Sequence, residues 1–284
     1  MIFKKLANNK KISLVFLSFA KRFVNLFPKK YDDQVVKEIV ASLEKDSYYH
    51  YKNFFNQDQI NELRGILDGL EKESLEKGNS VNKNLTNKKV RTNILESDIS
   101  AIQNYTQNKI IMDVAEKFHG IRCEVTKASY EVKERGDNPE TGELKDRKDD
   151  TVFYHFDRPF KVLKTFLIFE DIEDKDGPFQ IVKGSHKLMY KSPFKKLYKF
   201  FGKIFVNDSD YLLAIEDEKY FINENDVVSC KGKAGDLFFV NTEAWHCGRR
   251  VSKTGKRIQL WNYIYGDRLS SWVKHIAYFK FLRS

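Results

Sequence analysis

Apolar residues recur at two different periods along this chain, and the change of period divides it. Before Ile121 they fall mostly at helical spacing. The pattern predicts a helix over 31–43 and a second running through Ile60, Leu63, Ile66, Leu67 and Leu70, capped by Asn56 or Asp58. A third is predicted over 102–118. Tyr48-Tyr49-His50-Tyr51 reads as a short strand, and the polar, Asn/Lys-rich stretch 78–89 as a loop. From Ile121 onward, short runs of β-branched and aromatic residues take over. They predict strands at 123–132, 152–157, 162–169, 179–182, 236–240 and 257–265, divided by turn signals such as Gly136-Asp137-Asn138-Pro139 and Asp176-Gly177-Pro178. Helices first and strands afterwards define an α+β protein. The expected architecture is a double-stranded β-helix (jelly-roll) core with N-terminal helices packed around it.

Two stretches stand apart from this plan. In residues 1–30, Lys4-Lys5, Lys10-Lys11 and Lys21-Arg22 flank the apolar run 12–20, which is shorter than the roughly twenty residues a spanning helix needs. A helix that docks on the core or lies on a membrane surface fits this segment. The second stretch, 188–232, is expected to be an insertion acting as a lid. Ser192 and Pro193 can open a helix there, with Phe194, Leu197, Phe201 and Ile204 on one face and Lys195, Lys196, Lys199 and Lys203 around the rest. Residues 31–284 are otherwise expected to form one domain.

Composition refines this in two ways. The formal net charge of +10 favours anionic partners, either an anionic small molecule or lipid-like substrate or an acidic membrane surface. No zinc-finger or P-loop pattern accompanies the charge, and no nucleic-acid partner is expected. Cys123, Cys230 and Cys247 are odd in number and lack metal-type spacing. They read as reduced thiols of a cytoplasmic protein, one that could sit peripherally at the inner face of the membrane.

Candidate chemistry begins at Phe153-Tyr154-His155-Phe156-Asp157. In a strand, alternation turns His155 and Asp157 to the same side. A histidine and a carboxylate so placed are two members of a 2-His-1-carboxylate facial triad, which holds iron and leaves coordination positions open. With 6 His and 40 Asp+Glu in 284 residues, one such spacing arises by chance about once, so the pair alone carries little. His246 completes the set only if the fold returns it to the pair. In the strand that follows, Arg257, Gln259, Trp261 and Tyr263 alternate with Ile258, Leu260 and Ile264. An arginine on that aromatic face suits a carboxylate bound by both arms of its fork.

Together, His155-x-Asp157, Gly184-Ser185-His186, Gly235-Asp236, His246 and Arg257 resemble the phytanoyl-CoA dioxygenase family of Fe(II)/2-oxoglutarate oxygenases. The segment 164–187 is the most specific part, and the resemblance runs from about Tyr48 to Gly266. It implies iron bound by His155, Asp157 and His246, with 2-oxoglutarate and O2 as co-substrates. By the same resemblance Arg257 would hold the far carboxylate of 2-oxoglutarate and Phe166 would line its pocket, with Lys127, Tyr130 and Lys164 as weaker candidates. His186 belongs to a motif with a structural role at a turn. The retained carboxylate Asp157 favours hydroxylation of an unactivated C–H of a small-molecule, lipid or glycan-type substrate, with release of succinate and CO2. The alternatives are a non-catalytic jelly-roll binding module and a basic membrane-associated binding protein.

Overall fold

The structure, a computed structural model, describes residues 33–76, 81–83, 87–95, 97–135, 154–157, 161–187 and 222–266. The segment 1–30 and the lid helix beginning at Ser192 lie outside the described residues.

Among the described residues, four helices cover one side of the large sheet. In α1 (Gln34–Asp46), Asp33 caps the start by accepting from the Val35 amide at 2.9 Å, and Val36, Ile39, Val40 and Leu43 form the buried stripe. The helix stops at Ser47, which takes a left-handed conformation with φ 72°. Asn56 and Gln59 form a reciprocal capping box at the start of α2 (Gln57–Glu76), 2.9 and 3.0 Å, whose Ile60, Leu63 and Leu67 are buried. The single helix expected over 102–118 is two: α3 (Ser100–Thr106) and α4 (Lys109–His119). Asn108 causes the break. Its side chain accepts from the Ile110 amide at 3.0 Å, an interaction that starts a new helix and cannot continue an old one.

These helices pack on a seven-stranded antiparallel sheet formed by β1 (Tyr48–Tyr51), β2 (Val81–Lys83), β3 (Asn87–Asn93), β4 (Cys123–Arg135), β5 (Leu163–Ile168), β8 (Leu237–Asn241) and β10 (Lys256–Gly266). Its order is β1-β8-β5-β10-β4-β3-β2. A second sheet, β7-β6-β9, contains β6 (Phe179–Val182), β7 (Val227–Ser229) and β9 (His246–Gly248). The core is thus a double sheet with flanking helices. Strand alternation gives the large sheet two chemically different faces. Leu163, Leu167, Leu237, Phe239, Ile258, Leu260 and Ile264 join the helices in one apolar cluster. Phe166, Ile168, Phe238, Val240 and Trp261 point the other way and meet Ile181 of the small sheet. Tyr105 of α3 binds the first layer to the sheet, reaching Thr165 Oγ1 at 3.1 Å and donating to the Leu260 carbonyl at 3.2 Å.

Two further sequence expectations are corrected. The loop expected over 78–89 contributes the hairpin β2–β3, because β3 finds a seven-residue antiparallel partner in β4, and pairing overrides weak local propensity. The run 152–157 is not a regular strand in its described part. His155 makes one isolated bridge and Asp157 lies at a bend. Within the expected insertion 188–232, the described strand β7 pairs with β6.

The turn into β8 is fastened by one carboxylate. Asp236 accepts from the Asn53 and Lys233 amides at 2.8 and 2.9 Å and lies 2.7 Å from His50 Nε2. Beside it, Gly235 has φ 94°, and a Cβ there would come within 2.2 Å of the Phe55 carbonyl oxygen. Asp236→Ala should therefore lower stability by about 3 kcal/mol, measured by urea unfolding, since it strands two amides and a ring nitrogen at once.

Candidate metal centre

His155 and His246 are brought together by backbone pairing. The His155 amide donates to the His246 carbonyl at 2.9 Å and the His246 amide donates back at 2.8 Å. Residues that exchange both bonds across an antiparallel pair project to the same side. Their rings accordingly sit 4.4 Å apart, centroid to centroid. Asp157, two residues on, is anchored through its amide to the Thr242 carbonyl at 3.1 Å. The ligand-type atoms of His155, Asp157 and His246 all lie within 4.8 Å of one another.

The donor atoms are set for a cation. His246 is buried and its Nδ1 lies 2.9 Å from the Ala244 carbonyl, which can only accept, so Nδ1 carries the proton. Nε2 is left with its lone pair, makes no hydrogen bond, and faces Asp157 Oδ1 at 3.6 Å. A buried nitrogen lone pair beside a carboxylate and a second imidazole fits a divalent first-row metal. Burial would raise the Asp157 pKa. The Lys164 ammonium and the groups around it together outweigh this, and hold the carboxyl well below the usual carboxylate range. Phe179 stacks on the His246 ring at 5.1 Å and packs at a tilt against Phe166 at 4.8 Å, closing one side with apolar surface.

The Gly184-Ser185-His186 run supports β9 from behind. Ser185 Oγ donates to the Val182 carbonyl and accepts from the Trp245 amide, both at 2.8 Å, so it fixes the residue preceding His246. His186 is no ligand. Its Nε2 donates to the Glu44 carbonyl at 3.2 Å and its Nδ1 accepts a short hydrogen bond from Ser47 Oγ, which ties the run to the end of α1.

The other sequence candidates separate by face. Phe166, Lys164 and Lys127 lie on the side of the sheet that carries the triad, Lys127 exposed and 5.2 Å above the Trp261 ring. Arg257 is buried on the same face of β10, as alternation predicted, and donates Nη1 to the Gly177 carbonyl. Tyr130 is not brought to the site. It sits on the opposite face of β4, in the helix-side core, with its hydroxyl on Asp68 and its ring edge-on to Phe169 at 5.7 Å. Cys247 is buried without joining the triad. Sequence reasoning passed over Glu131 and Lys133, both buried on the inward face of β4. Glu131 accepts from Gln259 at 2.9 Å, and Lys133 donates to the Arg249 carbonyl at 3.3 Å. Alternation along β4 was the available signal, because Ser129, Glu131 and Lys133 oppose Ala128, Tyr130 and Val132.

A double sheet with flanking helices, and two histidines and an aspartate converging on its inner face, defines a protein of the Fe(II)/2-oxoglutarate oxygenase superfamily. Within it, the chain belongs to the phytanoyl-CoA dioxygenase (PhyH) family, whose model matches residues 43–258. Among solved structures it is similar to the epimerase SnoN in complex with Fe3+, alpha ketoglutarate and nogalamycin RO, at 16% identity and a TM-score of 0.58, covering 83% of this chain and 85% of that one. It is also similar to HygX from Streptomyces hygroscopicus with nickel and 2-oxoglutarate bound, at 13% identity and a TM-score of 0.56, covering 82% and 87%. The carbocyclase SnoK from nogalamycin biosynthesis matches at 14% identity and a TM-score of 0.53, covering 81% and 83%. These likenesses are of fold. No curated protein matches the sequence.

His186 makes the support of β9 pH-sensitive. Burial lowers its pKa below the ordinary value of 6.5, against a smaller opposing effect of its bond to the Glu44 carbonyl. The folded state therefore binds fewer protons than the unfolded chain as pH falls through 6.5, and stability must fall with it. Unfolding titrations from pH 7.5 down to 5.5 should show this loss, and His186→Gln should flatten that part of the profile.

Proposed function

We propose that the protein is an Fe(II)/2-oxoglutarate-dependent oxygenase that hydroxylates an unactivated C–H of a small molecule. The observation that carries this is the convergence of His155, Asp157 and His246, with Asp157 paired to Lys164 on the face of the large sheet that also carries the buried Arg257. In this reading the two sheets are the halves of a jelly roll, and the three side chains hold iron between them. Three protein ligands leave positions for a 2-oxo acid and O2. Held there, iron would supply the oxidising chemistry for removing hydrogen from carbon, with 2-oxoglutarate consumed to succinate and CO2.

The chain's own residues do the rest. Arg257 receives the far carboxylate of 2-oxoglutarate, its fork steadied by the Gly177 carbonyl. Phe166 and Phe179 keep water from the histidines. Lys127, held over Trp261, offers a cation to an anionic or lipid-like substrate. Asp157 retains the carboxylate whose presence favours hydroxylation. The relatives that are an epimerase and a carbocyclase support a second outcome at the same site, in which hydrogen removal is followed by inversion or ring closure. A cytoplasmic location, with peripheral contact of the basic segment 1–30 at the inner face of the membrane, fits the charge. No helix among the described residues is long and apolar enough to cross a bilayer.

The test is succinate formation from 2-oxoglutarate by protein supplied with Fe(II), followed by product mass. One added oxygen supports hydroxylation, an unchanged mass supports epimerisation, and loss of two hydrogens supports ring closure. His155→Ala, Asp157→Ala and His246→Ala should each lower Fe(II) affinity and turnover by ~100-fold or more. Arg257→Lys should weaken 2-oxoglutarate binding by ~10-fold or more and leave metal affinity unchanged, because an ammonium cannot reproduce the fork. Wild-type protein that binds Fe(II) and 2-oxoglutarate but yields no succinate with any substrate would favour a binding module.

A further inference from the structure

The Asp157 carboxylate faces two ways. Oδ1 looks toward His246 Nε2 at 3.6 Å, on the side where the three ligand atoms converge. Oδ2 lies 2.7 Å from the Lys164 ammonium. Lys164 stands on the inward face of β5, where the following inward residues are Phe166 and Ile168, and it is only 8% exposed. Its ammonium also lies 4.1 Å from the centre of the Tyr263 ring, directly across the strand pair. A lysine buried among aromatic side chains is tolerated only with its charge matched. Here the matching charge is a group that would bind the metal.

We propose that Lys164 is a positioning residue of the metal centre: it occupies one oxygen of Asp157, so that the carboxylate presents only the other to the metal. The inference rests on the metal-centre reading above. A carboxylate can coordinate through one oxygen or through both. In a facial triad the difference matters, because a second oxygen on the metal takes one of the positions that the 2-oxo acid and O2 require. The Tyr263 ring also contacts the ammonium, and the Asp157 amide is fixed on the Thr242 carbonyl. The two partners therefore meet with little freedom to turn.

The experiment uses the full chain, with Mn(II) titrated first, 2-oxoglutarate titrated into the Mn(II)-loaded protein, and the visible absorption of the Co(II)-loaded protein as a direct report of coordination. In Lys164→Met the freed carboxylate can chelate. Mn(II) should bind within ~3-fold of wild type or tighter, 2-oxoglutarate should bind ~10-fold more weakly, and the Co(II) spectrum should change before 2-oxoglutarate is added. Lys164→Arg keeps a cation on Oδ2 and should return both affinities to within ~3-fold of wild type. If Lys164→Met does not fold, Lys164→Arg and Lys164→Gln carry the comparison. Both keep a donor to Oδ2, and both should retain the wild-type Co(II) spectrum. A Lys164→Met protein with wild-type 2-oxoglutarate affinity and spectrum would overturn the assignment, as would one that loses Mn(II) as completely as Asp157→Ala. Wild-type protein that binds neither Mn(II) nor 2-oxoglutarate would overturn the metal centre itself, and this result is distinct from an indifferent Lys164→Met.

Discussion

Two backbone hydrogen bonds, exchanged between His155 and His246, are the constraint from which the site follows. They join segments far apart in the chain at one register, and a slip of a single residue would turn one imidazole to the opposite side. The small sheet protects that register. Ile181 of β6 pairs with His246, the Val182 amide donates to the Trp245 carbonyl at 2.9 Å, and Ser185 holds the Trp245 amide. β9 is thus gripped on both edges over only a few residues, so a short strand can carry a ligand with a defined direction. The same grip extends to the helical layer through His186 and the end of α1.

A second constraint is the asymmetry of the large sheet. Its helix side is mostly apolar, with Leu, Ile, Val, Phe and Tyr side chains packed against the helices. Its inner side carries Lys164, Glu131, Lys133, Arg257 and Gln259, all buried. Ionised groups in such a place add little stability compared with apolar residues of similar volume. Each has been given a partner on the inner side: Asp157 for Lys164, Gln259 for Glu131, and backbone carbonyls for Lys133 and Arg257. Departure from the apolar pattern on one face only, in strands whose other face obeys it, is where sequences place function.

Much of this was legible in the chain. The alternation of Arg257, Gln259, Trp261 and Tyr263 against Ile258, Leu260 and Ile264 holds in β10, because a strand covered on both sides must sort its side chains by face. The bounds of β6 and the apolar stripe of α2 follow local pattern closely. Pattern failed where a distant partner decided the outcome. The polar stretch holding β2 and β3 becomes a hairpin because β4 offers an edge. Tyr130 alternates to the helix side, a consequence of strand phase that its aromatic character does not reveal.

The sequence by itself determined the residue types: two histidines and an aspartate, an arginine after the distal histidine, and strands with one apolar and one mixed face. These are local properties, written in periods of two and in turn chemistry. Only the tertiary structure decided that His155 lies opposite His246, that Asp157 reaches the site from a bend without a strand to carry it, and that Lys164 takes one of its oxygens. The physical reason is that register and side-chain contact between distant segments depend on hydrogen bonds and charge pairs formed only when the two sheets close on each other, and no spacing along the chain encodes them.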